Sequence, residues 1–81
     1  MLNVRQIESC REAAVLSDGR GLRLEVDRSL NRKWIFRFTI SGKRRDMGLG
    51  RFPDVTLRQA RVLRDEARQL VAQGVDPIES R

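Results

Sequence analysis

Between Arg28 and Arg45 the sequence places seven basic residues and no acidic one: Arg28, Arg32, Lys33, Arg37, Lys43, Arg44 and Arg45. The chain as a whole carries a net charge of +6, and the residues outside this stretch hold ten basic against eleven acidic groups. The excess is therefore +7 on one segment and −1 on everything else. Uncompensated like charges repel one another, so the cluster suits an anionic partner, most simply nucleic acid. Fifteen of the 17 basic residues are Arg, whose planar fork matches phosphate and base edges better than an ammonium does. A solvated edge that discourages sheet-to-sheet aggregation is the other use of such a run.

Other chemistry is excluded by what is missing. There is no His, no Tyr and a single Cys, Cys10. This leaves no Ser/His/Asp or Cys/His triad, no His-ligated zinc and no tyrosine nucleophile. The chain is expected to be non-catalytic, with no cofactor and no metal. One Cys cannot close an internal disulfide, which fits a reducing cytoplasm. The longest apolar run, Ala13 to Leu16, is far too short for a membrane span. Gly19-x-Gly21 and Gly48-x-Gly50 are too short for a dinucleotide fingerprint and suit turns or close packing.

The elements that must hold the basic segment can be read from periodicity. Eighty-one residues suffice for one domain, residues 1–81. A short helix is predicted over about residues 4–14, opened by a capping box from Asn3 and Gln6. Ser17 to Gly21 reads as a turn. Strands follow over about residues 22–27, 33–40 and 43–49. The first alternates strictly, with Leu22, Leu24 and Val26 inward and Arg23 and Glu25 outward. Ser41-Gly42 is a two-residue hairpin turn. It places Ile40 opposite Lys43, Phe38 opposite Arg45, Phe36 opposite Met47 and Trp34 opposite Leu49. On the other side Arg37 falls opposite Asp46 and Thr39 opposite Arg44. Thr56 and Gln59 cap a long helix over about residues 57–73. Its stripe is Leu57, Ala60, Leu63, Ala67, Leu70 and Val71. Arg61 and Asp65 pair on its outer face, and Arg58, Arg61, Arg64 and Arg68 read as solvated. The fold class is α+β: a three-stranded antiparallel β-sheet packed against a long C-terminal helix, with a short N-terminal helix.

Such a sheet has one apolar face for the helix and one polar face left over. A two- or three-stranded ribbon, with strands about 4.8 Å apart, fits a DNA major groove roughly 12 Å wide. Arg23, Arg37, Thr39 and Arg44 are the candidates for base edges. Arg28, Arg32, Lys33, Lys43 and Arg45 are the candidates for phosphates, which position a protein without reading sequence. Glu25 and Asp46 share the polar face, where they could orient arginines or accept from cytosine amino groups. An ordinary cross-strand ion pair serves Arg37 and Asp46 equally well. Trp34 and Phe36 could stack on single-stranded bases, but their phase with Met47 and Leu49 assigns them to the core.

Taken together, these stretches resemble a known family. Leu16 to Val26 looks like the opening strand of the arm-type DNA-binding domain of phage and genomic-island integrases, which are tyrosine recombinases. Lys33 to Phe38 with Gly42-Lys43-Arg44-Arg45 resembles that family's central hairpin. Met47-Gly48-Leu49-Gly50-Arg51-Phe52-Pro53-Asp54-Val55-Thr56-Leu57-Arg58-Gln59-Ala60-Arg61, followed by Gly74-Val75-Asp76-Pro77, is similar to its most specific stretch. The segment Glu8 to Val15 departs from the pattern, being shorter and lacking the common Pro. The resemblance implies duplex DNA at arm-type sites as partner and a role in integration and excision within a bacterial host's nucleoid. Catalysis would lie in domains not contained in this chain. Integrase protomers and accessory DNA-bending or excisionase proteins are implied as further partners. A second function, that of a module joining protomers or an accessory factor through the sheet edge or last helix, is compatible with the same sequence.

Overall fold

The computed structural model describes residues 1–81. Its elements are α1 (Val4–Ser9), β1 (Ala14–Gly19), β2 (Leu22–Val26), β3 (Arg32–Ile40), β4 (Lys43–Arg51) and α2 (Leu57–Ala72). The four strands form one antiparallel sheet in the order β1-β2-β3-β4. The architecture is α+β with a C-terminal helix, as the sequence implies, but the sheet has four strands rather than three.

The extra strand comes from the segment assigned to the first helix and the following turn. Asn3 and Gln6 do form the capping box, with Gln6 N–H to Asn3 Oδ1 at 2.8 Å and Asn3 N–H to Gln6 Oε1 at 2.9 Å. The helix ends at Ser9, and Cys10 is already extended (φ −74°, ψ 111°). The chain then gains more from pairing along β2 than from continuing a helix with a narrow apolar stripe. Ala14 pairs with Val26, Val15 with Glu25, Leu16 with Leu24 and Ser17 with Arg23. A bulge between Ser17 and Gly19 leaves Asp18 as the extra residue.

At the other edge, the Ser41-Gly42 turn has φ of 51° and 76°, the conformation that matches strand twist in a two-residue hairpin. The predicted register holds from Ile40↔Lys43 to Ile35↔Gly48. It then slips by one residue between Ile35 and Trp34, so Trp34 pairs with Gly50 and Lys33 with Arg51. Leu49, expected opposite Trp34, is the bulged residue. The extra residue carries β4 on to Arg51, opposite Lys33, while keeping Leu49 buried.

The core lies between one face of the sheet and α2. Leu22, Leu24, Val26, Trp34, Phe36 and Phe38 from the strands meet Leu57, Ala60 and Ala67 from the helix, with Leu2 and Ile7 closing one end. Trp34 is fully buried, and its indole N–H donates to the Val55 carbonyl at 2.7 Å. Phe36 and Phe38 stack at a centroid distance of 5.3 Å. All three aromatic residues of β3 are thus core, as the phase of Trp34 and Phe36 predicts.

Helix α2 opens with the Thr56–Gln59 capping box, its two hydrogen bonds 2.9 and 3.1 Å long. Its buried line differs from the predicted one. Leu63 is 36% exposed and Arg64 is buried, so the inward positions are Leu57, Ala60, Arg64 and Ala67. The cause is Asp18, whose carboxylate faces the core side of β1 and is inaccessible to solvent. It accepts from Arg61 Nε at 3.0 Å and Nη2 at 2.9 Å, from Arg64 Nη1 at 3.2 Å and from the Leu2 N–H at 2.8 Å. Arg61 also donates to the Leu2 carbonyl at 2.8 Å, and Arg64 to the Gly19 carbonyl at 3.3 Å. Arg61 and Arg64 are therefore not a solvated face. Asp65 bonds Arg64 at 2.9 Å rather than Arg61. Burial pushes the Asp18 carboxyl upward, but the Arg61, Leu2 and Arg64 contacts outweigh it and hold it below the usual carboxylate value.

Candidate nucleic-acid interface

The sheet face turned away from α2 carries the odd-numbered residues of β2 and β3. Arg23 lies between Ser17 and Ile35, Arg37 opposite Asp46, and Thr39 opposite Arg44. Lys33 lies between Glu25 and Arg51. All four predicted base-edge residues, together with Lys33, share this face. Five basic side chains (Arg23, Lys33, Arg37, Arg44, Arg51) are set there against two carboxylates (Glu25, Asp46). Arg51, which the predicted strand end excluded, joins them because of the β4 bulge. Its Nη2 donates to Asn31 Oδ1 at 2.8 Å.

The remaining predicted residues lie elsewhere. Arg28 sits in the β2–β3 loop, exposed. That loop is organised by Asp27, which accepts from the Ser29 and Asn31 N–H groups, each at 2.9 Å, and from Asn31 Nδ2 at 3.1 Å. Arg32, Lys43 and Arg45 alternate to the opposite side. Arg32 Nη2 reaches the Cys10 carbonyl at 3.5 Å, and its Nε is buried without a partner. Arg45 donates to Asp76 at 2.5 Å and lies 3.5 Å from Glu79. Burial pushes the Asp76 carboxyl upward, but the Ile78 N–H and Arg45 contacts outweigh it and hold it below the usual value. The +7 segment is thus divided: three of its cations are turned away from the face that holds Arg37, and one of these is held by an acidic C-terminal turn.

The geometry at the centre of the open face is specific. Arg37 is on β3, which is hydrogen-bonded on both sides, and its backbone N–H donates to the Gly21 carbonyl at 2.8 Å. Its Nε and Nη2 bind Asp46 Oδ1 and Oδ2 at 2.8 and 3.1 Å. This hydrogen bonding holds the Asp46 carboxyl below its usual value, with Arg23 and Arg44 adding to the field around it. The same pair raises the Arg37 guanidinium. Arg23 lines a shallow depression with Arg37, Ser17 and Gly21. Next to it Ile35 lies opposite Gly48, whose missing side chain leaves that row low.

A sheet with one face sealed by a helix and the other lined with arginines is one of the ways a protein enters a DNA groove. The model of the arm DNA-binding domain family matches residues 2–81. The chain belongs to that family. The integrase of Enterobacteria phage P4 is 41% identical over 81 residues, covering 94% of this arm domain and 18% of the integrase. The integrase of Shigella phage Sf6 and the prophage integrase IntS of Escherichia coli K12 are each 36% identical over 84 residues, covering all of this arm domain and 22% of the relative. The arm domain thus spans about a fifth of the length of these curated relatives. No helix in it is long and apolar enough to cross a membrane.

Proposed function

We propose that this arm domain binds duplex DNA sequence-specifically at arm-type sites, inserting the open face of β2, β3 and β4 into the major groove. The observation that carries this reading is the Arg23, Arg37, Thr39 and Arg44 constellation on a face that no other element covers. Three strands span about 10 Å between outer axes, which suits a groove roughly 12 Å wide. β1 then lies at the rim. Arg23, Arg37, Thr39 and Arg44 face base edges. Ile35, beside the low Gly48 row, suits contact with a thymine methyl group. Lys33, Arg51 and Arg28, towards the other end of the sheet, meet phosphates. Lys43 at the hairpin tip reaches a phosphate from the side, while Arg32 and Arg45 serve mainly to tie the sheet to α1 and to the C-terminal turn.

The relatives are integrases, which supports placing this domain in a tyrosine recombinase that integrates and excises DNA in the bacterial cytoplasm. The chemistry would belong to other domains of such a protein. A mobility-shift titration tests the binding reading. Duplexes enriched from a random pool by the domain should bind at least about 1,000-fold more tightly than scrambled duplex, the lower end of the usual specific-to-non-specific range. Equal affinity for both would overturn it.

A second reading has its own observation. On α2, Val62 is 53% exposed and Leu63 36%, and with Arg58 and with Val55 just before the helix they line a shallow depression. This apolar strip, on the far side of the molecule from the open face, is where other integrase protomers or accessory DNA-bending and excisionase proteins would attach.

A further inference from the structure

The Arg37–Asp46 pair carries more than a cross-strand ion pair requires. A guanidinium has five N–H donors arranged along two usable edges. Asp46 occupies one edge, taking Nε–H and one Nη2–H at 2.8 and 3.1 Å. The other edge, with one N–H each from Nη1 and Nη2, has no protein partner. It therefore presents two parallel donors outward, from a side chain whose torsions are fixed by the carboxylate behind it. Of the four bases, guanine alone offers two adjacent acceptors in the major groove, O6 and N7. Adenine offers one acceptor beside a donor, thymine one acceptor beside a methyl, and cytosine a donor.

Resting on the sheet-face reading above, we propose that Arg37 reads one guanine through O6 and N7, with Asp46 as its positioning residue. Three features of the site support this assignment. Arg37 is on β3, an inner strand of the sheet and the middle one of the three proposed to enter the groove, with its backbone tied to Gly21. Its side chain is 36% exposed, enough to reach a base without leaving Asp46. Asp46 also cancels its charge, which makes it a poor phosphate ligand compared with Arg23 and Arg44, for which no side-chain hydrogen bond forms. Asp46 thereby separates reading from gripping: it gives up non-specific attraction and gains a fixed direction for the donors.

This separation predicts opposite effects in a single variant. Removing the carboxylate charge in Asp46→Asn should tighten binding to random duplex, because the face becomes more positive. The same change should weaken discrimination at one guanine, because Arg37 is freed to rotate. A residue with a merely structural role would not move the two quantities in opposite directions.

The test uses the 81-residue chain and duplexes enriched by it from a random pool. Each guanine of the enriched site is replaced in turn by 7-deazaguanine, which pairs normally but lacks the N7 acceptor. At one guanine the wild-type chain should lose roughly tenfold in affinity, the order expected for half of a bidentate contact. Arg37→Ala should show no loss at that guanine, whereas Arg37→Lys, whose ammonium can still reach N7 but lacks the fixed fork, should show a smaller loss and keep its affinity for random duplex. Asp46→Asn should cut the penalty several-fold while binding random duplex more tightly. A penalty undiminished in Arg37→Ala would overturn the assignment while leaving sheet-face binding intact. A full penalty in Asp46→Asn would overturn the positioning role. Failure of the wild-type chain to enrich any site would overturn the sheet-face reading itself, and the guanine assignment with it.

Discussion

Replacing Asp18 by Ala should be among the most damaging single changes in this chain. Its carboxylate is sealed from solvent and accepts from Arg61, Arg64 and the Leu2 N–H. Removing one member of a buried charged set costs about 3–5 kcal/mol, mostly because the partners are left uncompensated. Arg61 is 29% exposed and can turn to water, whereas Arg64 is 6% exposed and cannot. Arg64 keeps Gly19 and Asp65 as acceptors. The loss should therefore fall near the lower end, about 3 kcal/mol. A domain of this size is stable by roughly 4–12 kcal/mol, so the variant loses a quarter or more of its stability. Trp34, the only Trp and fully buried, supplies the signal for urea unfolding by fluorescence. With a urea slope of about 1 kcal/mol per molar, the midpoint should drop by roughly 2–3 M. The pH dependence has a definite sign. Because the folded Asp18 carboxyl lies below its ordinary value of 3.8, its contribution is complete above that value. It is lost as pH falls through the lower, folded value. The gap between wild type and variant should be constant from neutral pH down to about pH 5 and narrow below about pH 4. A midpoint shift under about 0.5 M, or a gap that widens on acidification, would refute the reasoning.

Two further outcomes follow from other parts of the fold. Gly21 has φ +87°, and an added Cβ would lie 2.5 Å from the Arg37 carbonyl oxygen and 2.8 Å from Phe36 Cε1. Gly21→Ala should cost more than the roughly 1–2 kcal/mol of left-handed strain alone, read as a lower thermal midpoint; an unchanged midpoint would show that β1–β2 relaxes freely there. Lys33→Ala should weaken cognate and random duplex equally and reduce the log-log salt slope by about 0.9, as the loss of one phosphate contact demands. A loss confined to the cognate site would make Lys33 a base reader instead.

Much of this fold is visible in the sequence because local signals agree with one another. The Asn3–Gln6 and Thr56–Gln59 boxes form as their spacing demands. Leu22 to Val26 alternates cleanly, and Ser41-Gly42 sets a register that brings Arg37 to Asp46 and Thr39 to Arg44. β1 is hidden because its alternation is inverted: Val15 faces out, and the charged Asp18 faces in. Only the arginines of α2, distant in sequence, make an inward Asp18 tolerable. A trace of this is present at Arg64, which stands seven residues after Leu57, four after Ala60 and three before Ala67, on the inward line of the helix. The bulge at Leu49 is equally a product of tertiary structure, since Gly48 and Gly50 permit it without specifying it. For the site, the four base-edge candidates follow from odd-even alternation alone. The same alternation, even in β3 and odd in β4, puts Arg32 and Arg45 on the side of Trp34 and Met47, and the hairpin register already sets Arg45 opposite Phe38.

The most direct test of the central claim is an amide chemical-shift titration of the labelled chain with an enriched duplex. Binding through the open face predicts large shifts at Arg23, Ile35, Arg37, Thr39, Arg44 and Gly48, with Val62, Leu63 and the rest of α2 nearly unmoved. Shifts concentrated on α2, with the open face silent, would contradict the account.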